Sequence, residues 1–358
     1  MLSIVVPTYN ERDNILPLIR EIEKHLDEHR FEIVIVDDNS PDKTWSYAAQ
    51  LCSLKKVVVV RRLNMRGLAS AVIDGISFSR GGYVAIMDAD LQHPPEYLRS
   101  MLNVVITEHP DLVIGSRYMA GGSIEHWSLA RSLISRIAIL LAKLLLPEVR
   151  SIKDPMSGFF VVRRDLVAVN KSKLKPYGYK VLLEILVRCS PRKVIEIPYT
   201  FRARQHGKSK LSTKVIVEYI IHLLKLSGWR PFKFAFVGAL GTVVNLATLY
   251  LLGLLAPQLL GELFILGSAT AIESSVLFNF TFHELWTFRD RRGGSAIRRL
   301  VLYHLGVLPA ISVQYLTAVS LRYLLSINPF VAQFIGILMG FIVNYLICEL
   351  GIWTKKNI

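Results

Sequence analysis

At 358 residues the chain is too long for one ordinary domain, and at 52% hydrophobic residues it is too apolar for an ordinary soluble protein. Its 43 Lys and Arg against 28 Asp and Glu leave a net charge of +15, which calls for an anionic partner. The basic residues gather in one loop and at the edges of apolar segments, without a nucleic-acid-binding module. A membrane surface is therefore the expected partner, and no nucleic acid is. Cys52, Cys189 and Cys348 lie far apart without metal spacing and read as reduced, structural thiols of a cytosolic face. Met1 runs directly into the strand-like Leu2–Pro7, so no signal peptide is expected.

From the N-terminus, short apolar runs alternate with amphipathic stretches. Leu2–Pro7 is followed by a helix over Glu11–His29, Phe31–Val36 by Thr44–Leu54, and Lys56–Val60 by Leu68–Phe78. Tyr83–Met87 is then followed by Glu96–Glu108, and a further strand covers Leu112–Gly115. This rhythm predicts a doubly wound, mostly parallel α/β sheet. Its strand ends carry Thr8-Tyr-Asn-Glu11, Asp37-Asp-Asn-Ser40 and Asp88-Ala-Asp90. One such cluster is ordinarily a helix cap, and a bare Asp-x-Asp is ordinarily a solvated turn. Three clusters on one side of one sheet read instead as a nucleotide site. Asp88 and Asp90 suit Mg²⁺ or Mn²⁺ carrying a diphosphate, because those cations take oxygen ligands and share them with phosphates.

Trp127–Leu146 reads as a basic amphipathic helix lying in a membrane interface with Trp127 as its anchor, the rival reading being a core helix with one wet face. A strand over Phe159–Arg163, a helix over Val181–Arg188 and a strand over Val194–Phe201 follow. Arg202-Ala-Arg204-Gln-His-Gly-Lys208-Ser-Lys210 is a basic loop able to close over phosphates, and Leu211–Leu226 is a second interfacial helix. Beyond Trp229 four apolar segments have spanning length, about 234–256, 263–286, 300–325 and 330–352. Arginines fall between the second and third, and Lys355-Lys356 after the fourth, so both termini and the first half are expected in the cytoplasm. The spans also hold Glu273, Asn279, His283, Glu284, His304, Gln314, Arg322, Asn344 and Glu349, suspects for function or for interhelical packing.

The stretches Val6-Pro-Thr-Tyr-Asn-Glu11, Ile35–Asp42, Met87–Glu96, Gly115-Ser-Arg-Tyr118, Asp154-Pro-Met-Ser-Gly158 and Gly207-Lys-Ser-Lys-Leu211 occur in fixed order. On them the chain resembles the polyprenyl-phosphate glycosyltransferases of glycosyltransferase family 2, most closely the dolichol-phosphate mannose synthases, and its last third resembles the four-span GtrA-like module. The resemblance implies a GT-A, Rossmann-like catalytic domain over 1–210, with the second interfacial helix at 211–229 and the membrane module at 230–358. It implies that Pro7, Tyr9, Glu11, Val36, Asp38, Asp88, Ala89, Asp90, Gln92, Arg204 and Lys210 hold the donor, with Asp88, Asp90 and Gln92 on the metal. Arg117 and Arg131 would hold the acceptor phosphate, and Asp90 and Arg117 would be catalytic. Arg202 and Lys208 are extra charges, and Ala69 stands where relatives often have glycine. The implied reaction passes mannose from GDP-mannose to dolichyl phosphate with inversion at a multi-pass cell membrane. A UDP-glucose-dependent polyprenyl-phosphate glucosyltransferase, and a lipid-linked sugar translocator or scaffold, stay open as alternatives.

Overall fold

In a computed structural model the chain forms two compact units, Met1–Leu226 and Ser227–Ile358. The residues described are 1–26, 29–52, 56–175, 177–203, 213–259, 264–325, 327 and 329–353.

The first unit opens with β1 (Leu2–Thr8), α1 (Arg12–Leu26), β2 (Phe31–Asp37), α2 (Thr44–Leu51), β3 (Val57–Arg61) and α3 (Leu68–Phe78). It continues through β4 (Tyr83–Ile86), α4 (Glu96–Glu108), β5 (Leu112–Ser116), β6 (Ser123–Ile124) and α5 (Leu129–Leu145). Then come β7 (Phe160–Arg163), α6 (Arg164–Val169), α7 (Val181–Cys189), β8 (Val194–Pro198), β9 (Thr200–Phe201) and α8 (Thr213–Leu226). β1 and β2 are apolar nearly throughout and buried on both faces, as parallel strands covered by helices must be. Seven strands pair in the order β3-β2-β1-β4-β7-β5-β8.

Six of the strands run the same way, so β1, β2, β4, β5 and β8 all end at one edge of the sheet. β7 alone runs antiparallel, to both β4 and β5. That reversal brings the segment leading into β7, Asp154–Phe159, to the same edge as the other strands' ends. Helix α7 precedes a strand of that edge and runs back along the sheet, so its first turn arrives there too. The strand expected over Val194–Phe201 divides in two. Pro198 has no N–H for the ladder, and beyond it the chain leaves β5 and pairs as β9 with β6.

α5 is not a core helix. Leu129, Leu133, Ile137 and Leu140 are exposed along it, while Ile139 and Ala142 join the core. α8 packs beside it, with Tyr219 donating to the Ala138 carbonyl at 2.6 Å and His222 held against buried Glu184 at 3.1 Å.

The second unit contains α9 (Arg230–Leu255), α10 (Phe264–Phe282), α11 (Ala296–Leu324) and α12 (Pro329–Ile347). α10 and α12 each run on into a π-helical turn, His283–Thr287 and Cys348–Ile352. By length and composition, Arg230–Leu255 and Ala296–Val313 are apolar enough to cross a membrane. α9 pairs with α10 and α11 with α12. A Cβ at Gly241 would collide with the Asn279 side chain, so glycine there permits the close approach of the first pair. Cys189 and Cys348 are buried free thiols as expected of structural cysteines, whereas Cys52 is exposed.

Candidate active site

The ends of β1 and β2 are joined by Asp37, which is fully buried. Thr8 Oγ1 and Ser40 Oγ both donate to its Oδ2, at 2.9 and 2.6 Å, and the Ser40 N–H donates to its Oδ1 at 2.8 Å. The two following turns are tied together, with the Asn10 N–H on Ser40 Oγ and the Glu11 N–H on Thr44 Oγ1, each at 3.0 Å. Asn10 and Asn39 take the left-handed backbone that asparagine tolerates, with φ of 58° and 55°. Asp38 accepts the Gly67 N–H at 2.8 Å and lies 3.0 Å from the Arg62 guanidinium. Burial lifts its carboxyl above the usual range, opposed by the Gly67 hydrogen bond and by Arg62. Pro7 is paired in register with Val36, and Arg66 lies 5.4 Å from the Tyr9 ring. Pro7, Tyr9, Glu11, Val36 and Asp38 are thus brought together at adjoining strand ends.

The neighbouring strand, β4, delivers Asp88, Ala89 and Asp90 to the same edge. Asp90 is buried, while the Asp88 side chain is 39% exposed. Between Asp90 and Gln92 the backbone curls through Leu91 at a φ of 59°, a strained conformation for a bulky residue. The Gln92 N–H donates to Asp90 Oδ1 at 3.2 Å, and its side-chain amide nitrogen donates to the Arg202 carbonyl at 3.1 Å. The Asp88 N–H donates to His93 Nδ1 at 3.0 Å, so that nitrogen carries no proton. Burial takes the His93 pKa down to about 3, and the 3.8 Å approach of Asp88 Oδ2 to this neutral ring is not an ion pair. The ring stacks on Phe159, centroids 5.3 Å apart. Gly158 lies against both: a Cβ there would sit 3.0 Å from His93 Cε1 and 3.7 Å from Asp88 Oδ2.

This donor set fits a hard divalent cation. Asp88 and Asp90 offer carboxylate oxygens, and with the Gln92 nitrogen engaged only its amide oxygen is a ligand. Among the described residues no cluster of three or more His, Cys, Asp and Glu forms a closed cage. Mg²⁺ and Mn²⁺ are held in that way, by one or two carboxylates with the remaining positions left to phosphate and water.

Beyond β5 stands Arg117, buried and gripped by the fully buried Asp154. Its Nε and Nη2 donate to the two carboxylate oxygens at 2.8 and 2.9 Å, and its backbone N–H adds a third bond at 3.1 Å. Burial alone would lower the guanidinium, but Asp154 carries it upward, so the positive charge is permanent. Asp154 occupies one edge of the fork, and the remaining donors have no hydrogen-bond partner among the described residues. Tyr118, Trp127 and Phe201 surround the guanidinium at 5.5–5.6 Å. Arg131, on the first turn of α5, lies 4.4 Å from the Trp127 ring. Lys180, just before α7, donates to the Met156 carbonyl at 3.2 Å. Burial and the nearby Arg117 lower its pKa to about 8, against Asp154 and Asp88.

Two sequence expectations change here. Trp127 is no exposed anchor: it is half-buried against Phe201, with both arginines on its ring. Arg202 is not an unpaired charge of the basic loop, because it meets Glu96 at 2.9 Å in a solvent-exposed pair. Arg204 and Lys210, with Lys208 between them, lie outside the described residues.

Residues 3–169 match the family model Glycosyl transferase family 2, and residues 233–353 match the GtrA/DPMS transmembrane domain. The dolichol-phosphate mannosyltransferase of Pyrococcus furiosus is 40% identical over 359 residues, covering 99% of each chain. The chain belongs to the dolichol-phosphate mannosyltransferase family. The Saccharomyces cerevisiae dolichol-phosphate mannosyltransferase is 36% identical, over 63% of this chain and 86% of its own length. Among solved structures, glucosyl-3-phosphoglycerate synthase from Mycobacterium tuberculosis, in complex with Mn²⁺, UDP and phosphoglyceric acid, shares the fold. Its TM-score is 0.50 at 21% identity, over 64% of this chain and 78% of that one. This family member is therefore a GT-A glycosyltransferase carrying a membrane domain.

Sequence reasoning did not single out three residues that the structure brings to this sheet edge. Asp154 was visible only as part of a motif, His93 only as the residue after Gln92, and Lys180 not at all. The signal for Lys180 is a lysine heading an almost wholly apolar helix, Val-Leu-Leu-Glu-Ile-Leu-Val.

Proposed function

We propose that the chain transfers mannose from GDP-mannose to dolichyl phosphate with inversion, giving dolichyl β-D-mannosyl phosphate. The observation that carries the reading is a half-used arginine: Arg117, fixed by Asp154 at the same sheet edge as Asp88 and Asp90, has guanidinium donors without a hydrogen-bond partner among the described residues. Tyr9 and Asp38, at the ends of β1 and β2, supply a ring for the base and a carboxylate for hydroxyls or ring N–H groups. Asp88, Asp90 and the Gln92 amide oxygen would hold Mn²⁺ or Mg²⁺, which when bound neutralises charge on the diphosphate.

The acceptor oxygen is a phosphate oxygen, already ionised at neutral pH, so no general base is required. That oxygen attacks the anomeric carbon from the face opposite the diphosphate. The carbon–oxygen bond to the diphosphate breaks, and GDP leaves with the electron pair. Arg117 and Arg131 hold the acceptor phosphate in line and offset its charge; Arg204 and Lys210 complete the donor's contacts. The exposed apolar stripe of α5 supports chemistry at a bilayer surface; on this reading both termini are cytoplasmic and the second unit crosses the membrane as four helices.

Purified chain with Mn²⁺ and dolichyl phosphate should transfer from GDP-mannose and not from UDP-glucose, and Asp90→Ala should abolish transfer. Transfer from UDP-glucose instead would overturn the donor. Bound nucleotide without transfer from either would favour a scaffold.

A further inference from the structure

Trp127 occupies a position that anchoring does not explain. It sits between β6 and α5, directly after His126, whose left-handed backbone (φ 55°) turns the chain, and before Ser128, which caps α5 by accepting the Arg131 N–H at 3.3 Å. Two cations share its ring, Arg117 at 5.5 Å and Arg131 at 4.4 Å from the centroid, and Phe201 meets it edge-on at 5.7 Å. With one ring common to both, the guanidinium carbons lie within about 10 Å of each other, a gap that one phosphate bonded on both sides bridges. The indole Nε1 is buried and has no hydrogen-bond partner among the described residues. An indole N–H can only donate, and a donor buried without an acceptor is costly, so such groups call for an explanation. Between two guanidiniums, an anionic oxygen is the acceptor that the electrostatics favour.

We infer that Trp127 is a binding residue for the acceptor phosphate, its indole N–H donating to an oxygen held between Arg117 and Arg131. The inference rests on the reading of a lipid phosphate as acceptor. The rings and arginines form a pocket wall before substrate arrives, and the phosphate supplies the acceptor that the N–H lacks. The rival is a purely structural ring that spaces the two arginines.

Trp127→Phe separates these, because it keeps an aromatic ring for both cations and removes the N–H. A hydrogen bond to a charged group predicts a rise of about tenfold or more in KM for dolichyl phosphate, with KM for GDP-mannose unchanged and kcat nearly so. Unchanged KM for both substrates would overturn the inference. A readout independent of turnover uses full-length protein labelled with ¹⁵N-tryptophan. The chain has 5 tryptophans, and the Trp127 indole signal is the one absent from Trp127→Phe. Adding a short-chain prenyl phosphate should shift that signal downfield, and the matching prenyl alcohol should not. A prenyl phosphate that binds, as shown by competition with dolichyl phosphate, yet leaves the signal in place would overturn the role of Trp127 alone. A prenyl phosphate that fails to bind the unaltered protein would overturn the acceptor reading, and this inference with it.

Discussion

Each unit of the protein buries arginines against a carboxylate, but the two arrangements differ in how completely they are used. In the catalytic unit Asp154 meets one arginine along one edge, and the rest of the Arg117 fork has no hydrogen-bond partner among the described residues. In the membrane unit Glu349 is fully buried and receives Arg230 at 3.2 Å, Arg291, and the Tyr345 hydroxyl at 3.3 Å. Glu284 is filled likewise, by Arg299 at 2.6 and 3.0 Å and by the Trp353 indole N–H at 2.8 Å. These donors come from the starts of α9 and α11, the turn after α10 and the end of α12, all of which meet at one end of the bundle. Asp154 therefore fixes a single cation, the one proposed to meet the acceptor phosphate. The membrane carboxylates each collect donors from several helix ends and so tie those ends together, although among the described residues the buried Nε of Arg291 has no hydrogen-bond partner. A buried ion pair by itself tells neither story; the number of elements whose donors meet on the carboxylate does.

The comparison can be broken experimentally, and the largest effect belongs to Asp154→Ala. Removing one partner of a buried pair leaves Arg117 uncompensated and costs about 3–5 kcal/mol. Transfer should fall by about 100-fold or more as the acceptor phosphate loses its fixed partner; melting temperature and turnover together check both. Glu349→Gln should also cost about 3 kcal/mol in the membrane unit, seen as a lower melting temperature in detergent. Nucleotide binding should survive it, and loss of binding would mean the clasp does more than lock helices. Lys180→Arg tests whether a titratable cation limits the site. With a pKa of about 8 the lysine loses charge as pH rises through that value; at pH 9 about a tenth remains charged. The alkaline limb of kcat/KM should therefore move upward in the arginine variant, and coincident pH profiles would remove Lys180 from the site. Glu96→Ala should do least. Its bond to Arg202 is solvent-exposed and worth under about 1 kcal/mol, so stability and turnover should barely change.

The strands and helices before residue 120 were legible because apolar runs and amphipathic stretches alternate cleanly; α3 and α4 span the expected residues. The convergence of Tyr9, Asp38 and Asp88 was legible too, because polar residues at the ends of parallel strands must share an edge. Asp154 was not, since it reaches Arg117 across 37 residues through the one strand that runs backwards. Periodicity carries no mark of strand direction. His93 and Lys180 were hidden for a related reason: a titratable residue's role depends on what buries it, and burial comes from elements distant in sequence. Trp127 was misread because its spacing fits an interfacial anchor, while its packing against Phe201 depends on the break at Pro198. In the membrane unit the acidic residues were seen but their partners were not, so Glu284 and Glu349 stood as suspects.

The apolar stripe of α5 has a consequence for which lipids the enzyme accepts. Lifting a chain out of a bilayer costs about 0.8 kcal/mol per CH₂, a prohibitive sum for a polyprenyl tail. Leu129, Leu133 and Ile137 line one side of the helix whose first turn carries Arg131. With α5 lying on the bilayer as proposed, a headgroup would reach Arg117 and Arg131 while its tail stays in the membrane. On this arrangement the protein reads the phosphate and the first few carbons, and the length of the remaining tail is left to the bilayer.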